Sequence, residues 1–100
     1  MMIDVLESVS VDSITPCGDD PSKIAVKFSM KGNLDFEEVR THSDVFDEVK
    51  ISSELGVVNG MIKGYRILLF SGGTGMLRLV DNIDVAKQLI RKIMGFYSTG

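Results

Sequence analysis

The sequence predicts an α+β domain in which an antiparallel sheet packs two helices on one face. Residues 64–96 have the pattern of strand, glycine turn, strand and amphipathic helix. The residues before them contain short stretches of alternating apolar and polar side chains separated by turn residues. Consecutive strands joined by tight turns form antiparallel sheets, with the helices on one face. A chain of 100 residues with 44% apolar content is expected to be a single domain over 1–100.

The N-terminal part, residues 1–23, is expected to be a strand followed by a loop. Val5 to Ile14 alternates, with valines on one face and polar residues on the other, which predicts the strand. Thr15 to Pro21 contains two prolines and two aspartates, which favour turns. Ile24 to Met30 then alternates again and predicts a strand with one buried face.

The middle of the chain predicts one short helix and two strands. Leu34 to His42 carries acidic residues in its first turn, with Asn33 or Asp35 available as the cap, and indicates a helix. Val45 to Ile51 and Val57 to Ile62 have the alternation of strands.

The C-terminal part predicts a hairpin and the longest helix. Tyr65 to Ser71 and Met76 to Val80 are strand-like, and Ser71 to Gly75 supplies glycines for the turn. The helix from Asp84 to Ile93 has Asp81 or Asn82 as its cap. Its apolar residues recur at steps of three and four: Ala86, Leu89, Ile90, Ile93, Met94 and Tyr97.

Composition excludes several function classes. A single cysteine excludes a disulfide framework and a multi-cysteine metal or iron–sulfur site within one chain. The N-terminus lacks the basic residues and the uninterrupted apolar run of a signal peptide or a spanning helix, so we expect a cytoplasmic protein. A net charge of −3 without a basic cluster argues against non-specific binding to nucleic acid or anionic membranes.

The last hairpin is apolar on both predicted faces. Ile67 and Leu69 alternate with Leu68 and Phe70, and the following strand behaves in the same way. Helices on one side of the sheet would leave several of these side chains exposed, and contiguous exposed apolar area marks interaction surfaces. The alternative is that the N-terminal strand or loop folds over them. We therefore predict an interaction face formed by Arg66, Leu68, Phe70, Leu77 and Leu79.

Residues 24–97 are expected to form the main unit of the domain. Within this unit, the stretch from Ile24 to Phe96 resembles one repeat of the TATA-box-binding protein fold. Ile24 to Phe28 matches the first strand of that repeat, and Gly32 to Val39 is similar to its "G-x-LDLEEV" helix start. Leu68 to Gly73 resembles its "LIFxSGK" strand and turn. The resemblance implies a sheet with two helices on one face, half of a DNA-binding saddle.

What the resemblance implies for DNA binding is mixed. Phe70 would match a phenylalanine that wedges between base steps, with the residue near Leu55 as its partner wedge. However, Lys23 stands where the family has a base-reading asparagine, and Leu79 to Asn82 replaces the family's "TGAK". One repeat also requires a homodimer to form the saddle, so DNA binding is the alternative function.

The N-terminal loop carries a second resemblance. Ser13 to Ile24 is similar to the "I-x-PC-x-x-DP-x-KI" opening of archaeal and bacterial proteins in which a domain of this fold precedes a small four-cysteine iron–sulfur domain. The cysteine-rich part is missing from this sequence. The resemblance implies an accessory domain whose own biochemical role the family does not define.

No residue pattern indicates catalysis, a cofactor or a metal. Ser71 to Gly75 leads into a strand and lacks the lysine of a phosphate-binding loop, so a hairpin turn is favoured. Cys17 has no basic neighbour, and Asp19 and Asp20 oppose thiolate formation. His42 is the only histidine, which leaves no metal pair or catalytic triad.

The sequence thus predicts a non-enzymatic interaction or accessory module that binds a protein partner or a second copy of itself. An enzyme would need a pocket that gathers Cys17, His42 and acids. Nucleic-acid binding would need one exposed face that carries all of Lys23, Lys27, Lys50, Lys63, Arg66 and Arg78.

Overall fold

A computed structural model of the chain describes residues 9–18 and 20–98. The strands are β1 (Val9–Pro16), β2 (Ile24–Met30), β3 (Asn33–Leu34), β4 (Glu48–Ser52), β5 (Val57–Ile62), β6 (Tyr65–Phe70), β7 (Thr74–Val80) and β8 (Tyr97–Ser98), and the helices are α1 (Phe36–Thr41) and α2 (Ile83–Ile93). Six strands form an antiparallel sheet in the order β1-β2-β7-β6-β5-β4, and β3 pairs with β8. The predicted α+β class is confirmed.

Both helices begin at side chains that accept backbone hydrogen bonds. Asn82 Oδ1 accepts from the backbone N–H of Val85 at 3.0 Å and starts α2. Asp35 Oδ1 accepts from the N–H groups of Glu37 at 3.0 Å and Glu38 at 3.2 Å and starts α1. These bonds satisfy N–H groups that the first turn of a helix leaves without partners. The sequence offered two caps for each helix, and the structure selects Asn82 and Asp35.

The core lies between the helices and one face of the sheet. The helices contribute Val39 from α1 and Ala86, Leu89, Ile90 and Ile93 from α2. The sheet contributes Val26, Phe28, Val58, Ile67, Leu69, Leu77 and Val80, all inaccessible to solvent. Full burial of a leucine, isoleucine or phenylalanine side chain stabilises by about 1.5–3 kcal/mol, so this one-sided layer dominates stability.

Two glycines allow aromatic rings to lie against the sheet. A Cβ atom at Gly75 would lie 2.4 Å from Cζ of Phe28, and one at Gly60 would lie 2.5 Å from Cδ1 of Phe46. Phe28 is inaccessible to solvent and Phe46 is buried, so neither ring can move aside without disturbing the core. The absence of a side chain at these positions is what brings the rings into contact with the strands.

Two bulges interrupt the sheet. In β1 the pairing with β2 shifts between Val11 and Ser13, which leaves Asp12 as an extra residue. In β7 the pairing with β2 shifts near Leu79, whose φ of 61° is unusual for a residue other than glycine. A bulge turns the following residue to the other face, so Leu77 and Val80 are both buried although three positions separate them.

The structure corrects several predicted bounds. The N-terminal strand runs from Val9 to Pro16, past the predicted end at Ile14, while residues 1–8 lie outside the described part. β4 begins at Glu48, because Ser43–Val45 forms a 3-10 turn rather than the start of the strand. The β3–β8 pair was not predicted; it places Tyr97 in a strand instead of in the helical pattern assigned to it.

Replacement of Gly75 by alanine is expected to destabilise the fold by about 1–3 kcal/mol, because the new methyl group overlaps the buried Phe28 ring. Gly72→Ala is the matched control, since a Cβ there has nothing within 4 Å. Urea unfolding of both variants measures the difference. Equal stabilities for the two variants would contradict the proposed Gly75–Phe28 contact.

Tyr97 has a buried hydroxyl group without a hydrogen-bond partner among the described residues. Burial raises the pKa of this phenol above its ordinary value, because the charged form loses hydration. Tyr97→Phe removes the unsatisfied group and is therefore expected to stabilise the fold by about 1 kcal/mol at neutral pH.

The pH dependence of the same variant provides a second test. A raised pKa in the folded state means that the unfolded chain loses the phenolic proton first, so ionisation favours unfolding above about pH 10. The stability advantage of Tyr97→Phe should be constant below that pH and should grow above it. Thermal unfolding from pH 7 to 11 would show this, and a constant difference across the range would argue against a desolvated phenol.

Candidate interaction face

The face of the sheet opposite the helices is defined by alternate residues of its strands, and we call it the open face. In the central strand β6, Ile67 and Leu69 are buried against the helices. Arg66, Leu68 and Phe70 lie between them in sequence and therefore project from the other side. Among the described residues no helix packs on this side.

Strand pairing arranges the open face in three rows across the sheet. The middle row is Lys27, Met76, Leu68, Asn59 and Lys50. A second row, towards the β6–β7 turn, is Ser29, Thr74, Phe70, Val57 and Ser52, and a third, towards the other end, is Arg78, Arg66, Met61 and Glu48. Apolar side chains thus form the centre of the face, with charged ones around them.

The open face is cationic although the chain is acidic. Four of its side chains are cations and two are carboxylates, Asp12 and Glu48, which gives this face a net charge of +2 against −3 for the whole chain. Arg66 donates from Nη1 to Oδ1 of Asn59 at 2.9 Å, and Ser29 Oγ donates to Oδ2 of Asp12 at 2.6 Å. The first contact fixes the guanidinium near the middle of the sheet.

Two shallow hollows lie on the open face, one on each side of Leu68. The first, about 480 Å³, lies between Phe70, Met76 and Lys27, with Asp12 at its rim. The second, about 470 Å³, is more polar and is lined by Glu48, Lys50, Asn59, Met61 and Arg66. One hollow suits an apolar side chain and the other suits a carboxylate or amide.

The structure brings together three of the five residues predicted for the interaction face. Arg66, Leu68 and Phe70 share the open face, and Phe70 is 38% exposed. Leu77 does not belong to it, because it is fully buried under the helices. Leu79 lies in the β7 bulge at one end of the sheet and is 36% exposed. Leu77 pairs with Ile67 across the β6–β7 hairpin and therefore shares its buried face, whereas Met76 pairs with Leu68 on the open face. The bulge then separates Leu79 from the alternation to which Leu77 belongs.

The described part of the N-terminal strand, β1, does not cover the open face. β1 lies in the plane of the sheet beside β2, and Val9 pairs with Met30. The loop after β1 closes at the end of the sheet, where the N–H of Cys17 donates to the carbonyl of Lys23 at 3.0 Å. Within residues 9–18 and 20–98, neither the strand nor the loop of that alternative lies over Leu68 or Phe70. Residues 5–8 of the predicted strand and residue 19 of the loop lie outside the described part.

Cys17 and His42 lie on different elements, Cys17 beside the β7 bulge and His42 at the end of α1. The Cys17 thiol is buried, and its Sγ accepts from the backbone N–H of Leu79 at 3.3 Å. His42 ends α1, where its Nε2 lies 3.5 Å from Oε2 of Glu38. In the described part of the chain no three metal-ligating side chains cluster, and no helix there is long and apolar enough to cross a membrane.

Sequence reasoning missed a polar cluster at the end of the sheet. Asp81 accepts from Lys23 Nζ through Oδ1 and from the Tyr65 hydroxyl at 2.7 Å through Oδ2. The hydrogen bond from Lys23, followed by that from Tyr65, lowers the pKa of Asp81 below its ordinary value, and the same contact raises the pKa of Lys23. The three residues are far apart in sequence, so no local signal could have shown their contact.

Comparison of the chain with protein-family models, with curated proteins and with solved structures finds no match.

Asp81→Asn is expected to lower the melting temperature at pH 7, and this effect is expected to shrink as the pH falls below about 4. A carboxyl group whose pKa is lowered on folding stabilises above its unfolded pKa of about 4, and this stabilisation is lost as pH falls through the folded pKa. Lys23→Met should reproduce the loss, because it removes the same contact. A difference between Asp81→Asn and the wild type that persists unchanged in acid would show that the charge at Asp81 is not its source.

Proposed function

We propose that this domain is a non-enzymatic interaction module that binds a partner protein through the open face. The observation that carries the proposal is the placement of Arg66, Leu68 and Phe70 along the central strand, on the side of the sheet opposite the two described helices. A contiguous apolar strip with a charged border is typical of binding surfaces.

The partner segment is expected to combine apolar and acidic side chains. An apolar anchor fits the hollow between Phe70 and Met76, where methionine adapts to irregular shapes. Carboxylates would meet Lys27 on one side of this strip and Arg66 on the other. Arginine binds carboxylates with two parallel hydrogen bonds, which gives orientation as well as attraction.

A protein partner suits the face better than a second copy of the same face. Face-to-face stacking of two copies would bring two surfaces of the same net positive charge together, and like charges across an interface oppose association. Phenylalanine, methionine and arginine are the residue types enriched in protein interfaces, and all three occur here in Phe70, Met76 and Arg66.

Nucleic-acid binding is the second candidate, and one observation favours it. Of the six cations that it requires on one face, Lys27, Lys50, Arg66 and Arg78 do share the open face, whereas Lys23 pairs with Asp81 and Lys63 lies in the β5–β6 turn. Leu55, 80% exposed in the β4–β5 turn, lies at the same end of the sheet as Phe70. Two exposed apolar side chains at one end of a cationic sheet could act as wedges.

The proposal extends to the family. From β2 onward the elements are a strand, the two-residue strand β3, a helix, a four-stranded meander, a helix and the two-residue strand β8. Apart from the two short strands, this order supports the resemblance to one repeat of the TATA-box-binding protein. The carboxylates of Asp12 and Glu48 within the face weigh against polyanions and keep protein binding as the first choice.

Selection from a random peptide display library tests this function directly. The wild-type chain is expected to enrich peptides that combine Asp or Glu with Leu, Ile or Phe. Phe70→Glu and Arg66→Glu should each lower the affinity for a selected peptide about tenfold or more. The first change introduces charge into the apolar strip, and the second reverses the charge that attracts carboxylates. Ile14→Glu is the matched control, since Ile14 is 50% exposed on β1, away from the open face.

Fluorescence anisotropy with single-stranded and duplex DNA of about 20 nucleotides separates the two candidates. Tight, salt-dependent DNA binding that Phe70→Glu and Arg66→Glu abolish would favour nucleic acid instead. Enrichment of basic peptides, or peptide binding unchanged in both variants, would contradict the protein-binding function. Thermal unfolding of each variant confirms that the fold persists.

A further inference from the structure

The two edges of the main sheet differ in how well they are protected against pairing. β1 has the bulge at Asp12 and ends with Pro16, and both features disfavour the addition of another strand. β4 is a regular strand from Glu48 to Ser52 without proline, and its pairing with β5 is continuous. The edge at β4 is therefore the one suited to accept a strand.

The backbone groups that β4 directs outward follow from the neighbouring hairpin. The two-residue turn Lys63–Gly64 is closed by the pair Ile62 and Tyr65, which makes that pair hydrogen-bonded. Ile62, Gly60 and Val58 of β5 therefore bond to β6, and the residues between them, Met61, Asn59 and Val57, bond to β4. The partners of the latter are Glu48, Lys50 and Ser52. Val49 and Ile51 are left with N–H and C=O groups that point away from the sheet.

Charge on the edge strand selects one pairing of β4 with itself. Glu48 and Lys50 are both exposed, both lie on the open face, and have opposite charges two residues apart. If two antiparallel β4 strands pair with Lys50 opposite Lys50, like charges oppose directly, which is unfavourable. If Val49 lies opposite Val49, each Glu48 lies opposite a Lys50 of the other copy, and two attractive pairs form.

We propose that two copies of this chain associate through their β4 edges in the register that places Val49 opposite Val49. The outward N–H and C=O groups of the two Val49 residues bond to one another, and the half-buried valine side chains meet on the helix side. The result is one antiparallel sheet of twelve strands. This surface is separate from the open face, and the inference does not rest on the proposed function.

A second copy is the occupant that the edge fits best, because opposite charges at positions 48 and 50 complement only a strand with the reverse arrangement. An antiparallel copy of β4 presents that arrangement. A strand from another protein would have to supply it by chance. The area of one strand pair is modest, so association is expected to be weak and dependent on concentration.

Sedimentation of the full chain from about 1 µM to 1 mM tests the proposal. The wild type is expected to show a monomer–dimer equilibrium. Glu48→Lys and Lys50→Glu should each weaken the dimer about tenfold, because each places like charges opposite one another at both pairs. The double variant with both exchanges should recover the wild-type constant to within about twofold, because the reversed charges again attract.

Mixing the two single variants gives an independent test. One copy then has lysine at positions 48 and 50 and the other has glutamate at both, so the mixed dimer forms two attractive pairs. The mixture should therefore dimerise more strongly than either variant alone. Phe70→Glu should leave the dimer unchanged, which distinguishes the β4 edge from the open face. The proposal is overturned by a monomer at every concentration, by a double variant that does not recover, or by a dimer that responds to Phe70→Glu instead.

Discussion

The packing of α2 against one side of the sheet is the interaction on which the rest of the structure depends. Its buried residues Ala86, Leu89, Ile90 and Ile93 cover the strand residues that point towards them. An antiparallel sheet can be stable with only one face covered. Because both helices lie on that side, the side chains of the other face are left at the surface, whatever their chemistry.

Most of the elements could be predicted from the sequence, and the exceptions have local causes. β2 and β5 have the predicted bounds, since their alternation is regular and turn residues flank them. The β3–β8 pair has only two residues in each strand, which is too short for a period to be visible. The start of β4 was placed too early because Val45 and Phe46 are apolar, although they pack in and after a 3-10 turn.

The candidate face could be predicted only where the strand alternation is regular. In β6, alternation alone places Leu68 and Phe70 on the other face of the sheet from Ile67. In β7, the register pairs Leu77 with Ile67 and so places it in the core, and the left-handed conformation at Leu79 then shifts the alternation by one, so that Val80 is buried and Leu79 is exposed. A leucine carries no sequence signal for that conformation, whereas a glycine would have indicated it. The order of the strands in the sheet could not be predicted either, because the neighbours β2 and β7 are far apart in the chain.

Net charge proved to be an incomplete guide to binding. The sum over the chain is −3, which argues against acidic partners. The register nevertheless collects Lys27, Lys50, Arg66 and Arg78 on one face, where screening over about 8–10 Å makes local charge matter more than the total. The local charge of the surface therefore depends on cross-strand registers, which the linear pattern of residues does not reveal.

The open face and the β4 edge are coupled by geometry. Pairing of two β4 strands about a two-fold axis perpendicular to the sheet keeps both open faces on the same side, because Glu48 of one copy must lie beside Lys50 of the other on that side. A partner with two suitable segments could then bind both faces at once, and linked binding raises affinity without any new contact. In the proposed dimer a shallow face on a small domain would thus bind more strongly, since the second copy would double the binding surface and leave the helix side unchanged.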